Sequence, residues 1–308
     1  ATEGVNTVLR SIELKTGDEV IVPNHSYQAC WNAVDFVTER SGAKTVVVEI
    51  PFRLESEEEI IDLILDKVTD RTVLALIDTV TSPTGLRMPF EKLVSELQEK
   101  GVDVLLDAAH GPGIVPLDLA ALDVAYCTGN CHKWICTPKG SAFLHIREDR
   151  KSRVRPLVIG HGASLEGTDQ ERFEFEFGWP GTQDPSPWLC IPKAIDHIGK
   201  MVDGGWPEII RMNRDLVLRG REVICEALGT KPPVPESMVA SIASVEIPGG
   251  EVGAMTMEGD PFHNFLLDEY GIQVPVFPWM HHGVRYIRIS AQLYNHFDEY
   301  GASRRCRH

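Results

Sequence analysis

The sequence has no hydrophobic run long enough to cross a membrane. A transmembrane helix needs about 20 consecutive apolar residues, and none of the apolar runs in these 308 residues approaches that length. No secretory signal peptide is visible either, although the chain begins at Ala1 rather than at a methionine. We therefore expect no membrane partner.

Positive charge is scarce, with 30 lysines and arginines against 45 aspartates and glutamates. The formal net charge of -15 disfavours nonspecific binding to nucleic acid or to an anionic membrane surface. A local positive pocket for a phosphate group remains compatible with this balance. The composition therefore predicts no nucleic-acid partner.

The seven cysteines follow no disulfide framework. Their odd number and scattered positions indicate reduced thiols, which predicts a cytoplasmic protein. Cys127, Cys131 and Cys136 lie close together in the sequence, but they lack the two-residue spacing of zinc-binding motifs. We therefore predict no metal site.

What the sequence does contain is an ordinary globular composition, with 43% hydrophobic and 24% charged residues. Short continuous apolar runs alternate with stretches such as Ser56–Lys67 and Phe90–Lys100, whose apolar residues lie three and four apart. The predicted strands are Glu19–Val22, Thr45–Val48, Val73–Ile77, Val102–Leu106, Val124–Cys127 and Ala142–Ile146. This alternation predicts an α/β fold with a mostly parallel sheet flanked by helices on both faces.

The last third of the chain has a different pattern. Trp206–Leu228 reads as one long connecting helix, and two predicted strands, Ser241–Ile247 and Tyr286–Ser290, surround a predicted helix, Pro261–Tyr270. We therefore predict a large domain of residues 1–205 and a smaller C-terminal α+β domain of residues 206–308, which ends in a basic tail.

Polar side chains follow four of the predicted strands. They are His25, Tyr27, Ser82, Asp107, His110 and Lys133. Ligands of open parallel sheets bind beyond the carboxyl ends of the strands. The pattern therefore predicts one site at that edge of the sheet.

Asp107 and Lys133 indicate the chemistry of this site. Asp107 closes an apolar run, where a free carboxylate is costly without a cationic partner. Lys133 lies in an otherwise uncharged stretch between His132 and Trp134. A lysine amine can hold pyridoxal 5'-phosphate as a Schiff base, and an aspartate can keep the pyridine nitrogen protonated, so that the ring accepts electrons. The alternatives are a helix-capping aspartate and a solvated lysine.

Five motifs occur in an order typical of one enzyme family: Ala1–Asn6, Asp107–His110, His132–Trp134, Gly181–Asp184 and Arg288–Gln292. With them the chain resembles the class V aminotransferase family of fold-type I pyridoxal phosphate enzymes. The nearest branch includes isopenicillin N epimerases, cysteine desulfhydrases and hercynylcysteine sulfoxide lyases. In this family a further N-terminal segment precedes the first motif, so we expect a fragment or a truncated form.

The resemblance implies which residues hold the phosphate group. Ala1, Thr2 and Glu3 open a predicted helix, whose free backbone amides suit a phosphate, and the family places a further contact at His132. Thr182 corresponds to a family threonine that reaches the phosphate of the partner subunit. The resemblance therefore implies a homodimer with active sites at the interface.

Three further residues are implied near the cofactor ring. Tyr27 and His25 compete as the aromatic residue that stacks on the ring, and the motif spacing favours Tyr27. His110 resembles the family residue beside the phenolic oxygen or the Schiff base, with a structural histidine as the alternative. Ser82, with Thr81 as its rival, occupies the place from which related enzymes contact that oxygen, although a role in a turn is equally compatible.

The remaining implied roles concern the substrate. A guanidinium can hold the α-carboxylate of an amino acid through a two-point fork, and the family uses the arginine at Arg288 in this way. A structural salt bridge is the alternative, and Arg285 is the less favoured candidate. The resemblance maps Lys133 to the Schiff-base lysine, so the implied catalytic residues are Lys133, Asp107 and His110.

The stretch Gln273–His282 argues against one of the reaction types that the cofactor allows, cysteine desulfuration. Related cysteine desulfurases carry a nucleophilic cysteine shortly before the carboxylate-binding arginine, and this stretch contains none. Trp279, His281 and His282 either shape a substrate pocket or form a loop that covers the small domain. We predict a C–S lyase that acts on a cysteine derivative by β-elimination; the alternatives are an amino-acid epimerase, an aminotransferase and an inactive truncated homologue.

Overall fold

The computed structural model describes residues 1–249, 260–279 and 283–301. The strands are β1 (Glu19–Pro23), β2 (Lys44–Val48), β3 (Thr72–Asp78), β4 (Asp103–Ala108), β5 (Tyr126–Asn130), β6 (Ala142–Ile146), β7 (Ile242–Ile247), β8 (Val276–Trp279) and β9 (Val284–Ser290). The helices are α1 (Thr2–Ser11), α2 (Gln28–Ser41), α3 (Glu57–Leu65), α4 (Phe90–Glu99), α5 (Leu119–Leu122), α6 (Asp169–Gly178), α7 (Ser186–Leu189), α8 (Ile191–Gly199), α9 (Gly205–Leu228), α10 (Pro261–Tyr270) and α11 (Phe297–Gly301). In these ranges no helix combines the length and apolarity of a membrane span.

The six predicted strands form one sheet in the order β2-β1-β3-β4-β5-β6. Strands β1 to β5 run parallel, and β6 pairs with β5 in the antiparallel direction. The predicted α/β class and the mostly parallel sheet are therefore confirmed. The apolar runs did not indicate that the last strand reverses its direction.

Both faces of this sheet are covered, which explains why its strands are continuously apolar. In β1, Val20 and Val22 pack in a core with α1 and α2, whereas Ile21 packs in a second core with α3 and α4. Neighbouring residues of a strand point to opposite faces. The middle residues of β1 are therefore apolar on whichever face they lie.

Gly4 brings the start of α1 against the end of β5. A Cβ atom at this position would clash with the side chain of Thr128, so another residue would push the helix away from the sheet. Val5, Val8 and Leu9 are fully or almost fully buried on the same helix. The first turn of α1 is thereby fixed beside the carboxyl end of β5.

The C-terminal part contains a three-stranded antiparallel sheet in the order β7-β9-β8. Its core includes Val217 and Ile224 of α9, Val245 of β7 and Leu266 of α10. The predicted connecting helix, two strands and helix are confirmed, while β8 forms in a stretch for which no strand was predicted. His281, His282 and the tail from residue 302 lie outside the described residues. The domain boundary at residue 205 stays a prediction.

Candidate active site

The strand ends that carry the predicted polar residues lie side by side. Strands β1, β3, β4 and β5 are consecutive in the sheet and parallel. Asp78 at the end of β3 lies opposite Asp107 of β4, and Asp107 lies opposite Thr128 of β5. The loop that follows β5 carries Lys133 to the same edge.

Lys133, His110 and Trp134 form a hydrogen-bonded chain at this edge. The Lys133 Nζ atom lies 2.9 Å from His110 Nε2. The indole N–H of Trp134 donates to His110 Nδ1 at 3.1 Å. Trp134 and His110 are both buried, so the ring of His110 is held between two fixed partners.

The surroundings lower the pKa values of both basic groups. Burial lowers the pKa of Lys133; Arg288 lowers it further, whereas Asp107 opposes this shift. Burial also holds the pKa of His110 well below its usual value, and the charges of Lys133 and Arg288 act in the same direction. A lysine attacks a carbonyl carbon only as the neutral amine. Burial therefore shifts Lys133 toward its nucleophilic form.

Asp107 is a buried carboxylate whose recorded hydrogen bonds come from neutral groups. Its side chain is 2% exposed. The backbone N–H of Ala109 donates to Oδ1 at 2.9 Å, and the thiol of Cys30 donates to Oδ2 at 3.3 Å. Burial, followed by the charge of Asp107, raises the pKa of Cys30, so the thiol keeps its proton. A carboxylate in this position fits a cationic ligand group such as a pyridinium.

Asp78 was not among the predicted site residues. It is buried beside Asp107, and the hydroxyl of Ser26 donates to its Oδ2 at 2.8 Å. Burial and then the charge of Asp107 raise the pKa of Asp78 well above its usual value. A sequence signal existed, because Asp78 directly follows the apolar run Val73–Ile77, just as Asp107 follows its own apolar run.

The predicted phosphate site lies at the start of α1. The N-cap residue Ala1 makes no side-chain capping bond, and Thr2 and Glu3 are exposed in the first turn. The backbone nitrogen of Ala1 lies 2.6 Å from Asn130 Oδ1, which joins this turn to the end of β5. Free amides at a helix start are suited to an anion.

His132 lies on the same loop as Lys133, at the predicted phosphate contact. Its Nδ1–H donates to the carbonyl oxygen of Ser141 at 2.8 Å. The backbone N–H of Cys131 also donates to this carbonyl, at 3.1 Å. Ser141 therefore anchors the loop that leads from β5 to Lys133.

The two candidates for the stacking aromatic residue have different surroundings. His25 is buried, with Nδ1 2.7 Å from Thr84 Oγ1 and Nε2 3.1 Å from the carbonyl oxygen of Ile50. Its ring also packs against Trp279, with 4.4 Å between the ring centroids. Tyr27, at the start of α2, is 44% exposed. Tyr27 thus has the accessible ring, whereas His25 is engaged inside the protein.

Ser82 and Thr81 also differ. The Thr81 hydroxyl is buried in a turn, where it lies 2.7 Å from Thr84 Oγ1 and accepts the N–H of Leu86 at 2.9 Å. Ser82 is only partly buried, and its carbonyl oxygen accepts a hydrogen bond from the Arg288 guanidinium. The turn therefore engages the Thr81 hydroxyl, and Ser82 lies beside the predicted substrate arginine.

Arg288 and Arg285 lie on the same strand but have different partners. Arg285 makes a two-point ion pair with Asp260, at 2.6 and 3.1 Å. No carboxylate of the described residues lies within ion-pair distance of Arg288, whose guanidinium carbon is 5.4 Å from the centroid of the Phe277 ring. Burial lowers the pKa of Arg288, but a guanidinium is not deprotonated in proteins, so the group stays cationic. Arg288 thus offers a positive charge for a ligand carboxylate.

Thr182 is exposed in the segment between α6 and α7. The same stretch of the chain carries many exposed apolar side chains. Large exposed side chains between residues 157 and 201 include Leu157, Val158, Ile159, Leu165, Phe175, Trp179, Trp188, Leu189, Ile195 and Met201. Where exposed apolar side chains form a contiguous patch, they mark an interaction surface.

Two relatives match most of the chain in sequence. It is 31% identical over 300 residues to an Arabidopsis thaliana protein named "Probable L-cysteine desulfhydrase, chloroplastic", covering 92% of this chain and 62% of that one. It is 30% identical over 311 residues to an isopenicillin N epimerase of Amycolatopsis lactamdurans, covering 96% and 75% of the two chains. The chain thus spans less than two thirds of the length of the plant relative.

The fold has solved counterparts. A cysteine desulfurase of Escherichia coli superposes with a TM-score of 0.78 at 18% identity, over 99% of this chain and 75% of that one. At this identity the similarity concerns the fold alone. The family model for class V aminotransferases matches residues 1–297, which is nearly the whole sequence. The chain belongs to the class V aminotransferase family, as its five motifs predicted.

Proposed function

We propose that this chain forms the catalytic part of a pyridoxal phosphate enzyme that breaks a C–S bond in a cysteine derivative. The cofactor is pyridoxal 5'-phosphate, in accordance with the family. The observation that carries the proposal is a set of three ionisable side chains near the carboxyl ends of the large-sheet strands without ion-pair partners among the described residues: Lys133, Asp107 and Arg288. A pyridoxal phosphate cofactor and an amino-acid substrate together supply partners for these three side chains.

The residues at the site fit the cofactor part by part. Lys133 would hold its carbonyl carbon, and Asp107 would hold its ring nitrogen. Tyr27 would stack on the ring, while Ser82 and His110 would contact the phenolic oxygen. The phosphate would be held by Ala1, Thr2, Glu3 and His132. When bound, the cofactor supplies an electron sink that stabilises negative charge at the α-carbon of the substrate.

The protein residues would divide the remaining work. Arg288 would bind the α-carboxylate of the substrate by a two-point fork and so fix the direction of the α-hydrogen. Lys133, as the neutral amine, would remove the α-proton. Departure of the sulfur-bearing group from the β-carbon would then lead to pyruvate and ammonia.

The relatives support C–S cleavage but leave a second candidate. The name of the plant relative describes removal of sulfide from cysteine, and the stretch before Arg288 lacks the thiol of a desulfurase. The Amycolatopsis relative has nearly the same identity and is named as an epimerase. An epimerase would return the proton to the opposite face instead of losing the sulfur group. An aminotransferase and an inactive homologue are the remaining alternatives.

A homodimer is part of the same proposal. Many large apolar side chains between residues 157 and 201, the stretch that contains Thr182, are exposed. Burial of these side chains against a second copy would bring the Thr182 of one subunit toward the phosphate of the other. Sedimentation at several protein concentrations tests the assembly, and a persistent monomer would contradict it.

A cytoplasmic location is also proposed, on the basis of the free thiols. All six cysteines within the described residues are unpaired. Such thiols are typical of a reducing compartment. The chloroplastic relative means that the compartment of this protein has to be measured by fractionation.

The decisive experiment is incubation of the cofactor-loaded protein with a panel of cysteine derivatives. Pyruvate, sulfide and exchange of the α-proton with solvent are measured together. Pyruvate is the result expected for the lyase. Exchange without pyruvate would favour the epimerase, and a keto acid formed only with an amino acceptor would favour the aminotransferase. A Lys133→Ala variant serves as the blank, because it keeps the rest of the site.

A further inference from the structure

The hydrogen bond from Trp134 determines where His110 carries its proton. An indole N–H can only donate, so the Nδ1 atom that it meets at 3.1 Å must present a lone pair. In a neutral imidazole one nitrogen is a donor and the other an acceptor. The proton of His110 therefore lies on Nε2. A doubly protonated ring is disfavoured as well, because two hydrogens would face each other at Nδ1.

The tautomer of His110 also determines the protonation of Lys133. His110 Nε2 carries the hydrogen and lies 2.9 Å from Lys133 Nζ, so the lysine must accept this hydrogen bond. An ammonium group has no lone pair and cannot accept. The geometry is consistent only with the neutral amine of Lys133.

We propose that Trp134 is a positioning residue that fixes the tautomer of His110, so that His110 donates to Lys133 and keeps its amine unprotonated. This inference rests on the proposed function in one respect, the assignment of Lys133 as the cofactor lysine. Trp134 would act through His110 alone.

The backbone of Trp134 is held by Gln292, which follows β9, and Gln292 is held in turn by the long helix α9. Its carbonyl oxygen accepts the amide N–H of Gln292 at 3.3 Å, and the Gln292 carbonyl accepts from Asn213 of α9 at 2.8 Å. Gly113 allows the close approach, because a Cβ atom there would lie 3.1 Å from Trp134 Cβ. The indole is 8% exposed and packs in the core shared with α3 and α4. A donor that is fixed in this way can select one tautomer.

Burial and the neighbouring charges also change the pKa values of Lys133 and His110. The groups that act on Lys133 are Asp107, Arg288, Asp78 and Cys30, and those that act on His110 are Lys133 and Arg288. Burial is the largest effect in both cases and lowers both pKa values. The neutral pair that the hydrogen bonds require is thus also the pair that burial favours.

The test reads the tautomer directly by NMR of the full chain labelled with ¹⁵N-histidine, before and after pyridoxal phosphate is added. A His110→Gln variant identifies the signals of His110 by their loss. For the wild-type protein we expect a hydrogen on Nε2 and none on Nδ1. A hydrogen on Nδ1 would overturn the proposal, and this measurement needs no folded variant at position 134.

A Trp134→Phe variant removes the donor, with Trp31→Phe as the matched control because Trp31 is a partly buried tryptophan of α2 outside the proposed site. Without the indole N–H, His110 can carry its hydrogen on Nδ1 and accept from the protonated lysine. We expect a mixed tautomer signal and a rise of about one pH unit in the midpoint for covalent attachment of pyridoxal phosphate, the value of one ordinary hydrogen bond. An unchanged tautomer and midpoint would overturn the proposal.

The two proposals fail separately. If borohydride reduction placed the cofactor on another lysine, the proposed function would fall. The hydrogen on His110 Nε2 would then still be observed in the cofactor-free chain. If the cofactor lies on Lys133 but His110 carries its hydrogen on Nδ1, the proposed function stands and the role of Trp134 is wrong.

Discussion

Acidic side chains lie at the amino ends of the large-sheet strands (the amino edge) and at their carboxyl ends (the carboxyl edge), but the two groups have different partners. At the amino edge, Glu19 pairs with Arg71 at 2.7 Å, and Asp103 forms a two-point pair with Arg150 at 2.9 Å. At the carboxyl edge, Asp107 has no ion pair within the described part of the chain. Strand β4 shows both cases, because Asp103 begins it and Asp107 lies near its end.

This difference separates structural charges from charges that await a ligand. A buried ion that is paired recovers part of its desolvation free energy within the protein. A buried ion without a partner is costly, and the cost is offset only when a ligand supplies the opposite charge. We therefore expect the unpaired side chains at the carboxyl edge to serve function and to lower the stability of the fold. The paired side chains at the amino edge should contribute to stability alone.

Replacement of Lys133 should have the largest effect. Lys133→Ala removes both the attachment point and the base, so we expect no covalent cofactor and a loss of activity of at least about a thousandfold. Borohydride reduction and peptide mapping should place the pyridoxyl group on Lys133 in the wild-type protein. Lys139→Ala is the matched control, since Lys139 is exposed on the same loop. Labelling of a different lysine would contradict the assignment.

The second prediction compares the two ends of β4. Asp107→Asn should keep the cofactor but lose about a hundredfold or more in turnover, because an amide cannot hold the ring nitrogen protonated. Its unfolding temperature should be unchanged or higher, since an unpaired buried charge is removed. Asp103→Asn should do the reverse, with normal turnover and a lower unfolding temperature. Near-normal turnover of Asp107→Asn would show that Asp107 is structural.

The fold could be predicted from the sequence wherever burial requires a recognisable pattern of apolar residues. Apolar runs located β1 to β6, and the spacing of apolar residues located α3 and α4. The prediction was weakest at strand ends: β5 was predicted as Val124–Cys127 but occupies Tyr126–Asn130. Its last residues are polar because they face the site, so an apolar pattern ends before the strand does.

The site was only partly predictable, for a related reason. Lys133, Asp107 and Arg288 stand out as charges in apolar or strand-like surroundings. The hydrogen bond from Trp134 to His110 joins residues 24 positions apart, and no pattern in the sequence indicates its direction. Asp78 could have been found by the rule that located Asp107. The pairing of Arg285 with Asp260 depends on tertiary structure and separates two arginines that the sequence presents as near equals.

The third prediction uses these two arginines of β9. Arg288→Lys keeps the charge but loses the planar fork, so KM should rise about ten- to a hundredfold while fold and cofactor are retained. Turnover should also fall, because a tilted substrate directs its α-hydrogen away from Lys133. Arg285→Lys is the control and should lower the unfolding temperature while KM stays normal. If Arg288→Lys damaged stability and activity equally, Arg288 would be a structural residue.

The smallest effect is expected at the amino edge, from Glu19. Hydrogen bonds from Thr69 and Arg71 lower the pKa of Glu19. A carboxylate whose folded pKa is lowered contributes stability above its usual pKa of about 4.3, and this stability is lost as the pH falls through the folded pKa. Because Arg71 is 61% exposed, solvent screens the pair, and we expect about 0.2–1 kcal/mol.

Thermal unfolding of the wild type and Glu19→Gln at pH 7, with a repeat below pH 4, measures this contribution. The variant should be slightly less stable at pH 7, and the two curves should converge on acidification, because the wild-type side chain then becomes neutral too. Activity at pH 7 should not change, since Glu19 begins the strand whose other end faces the site. A loss of activity without a loss of stability would mean that the amino edge also serves the reaction. The division between paired structural charges and unpaired functional ones would then be wrong.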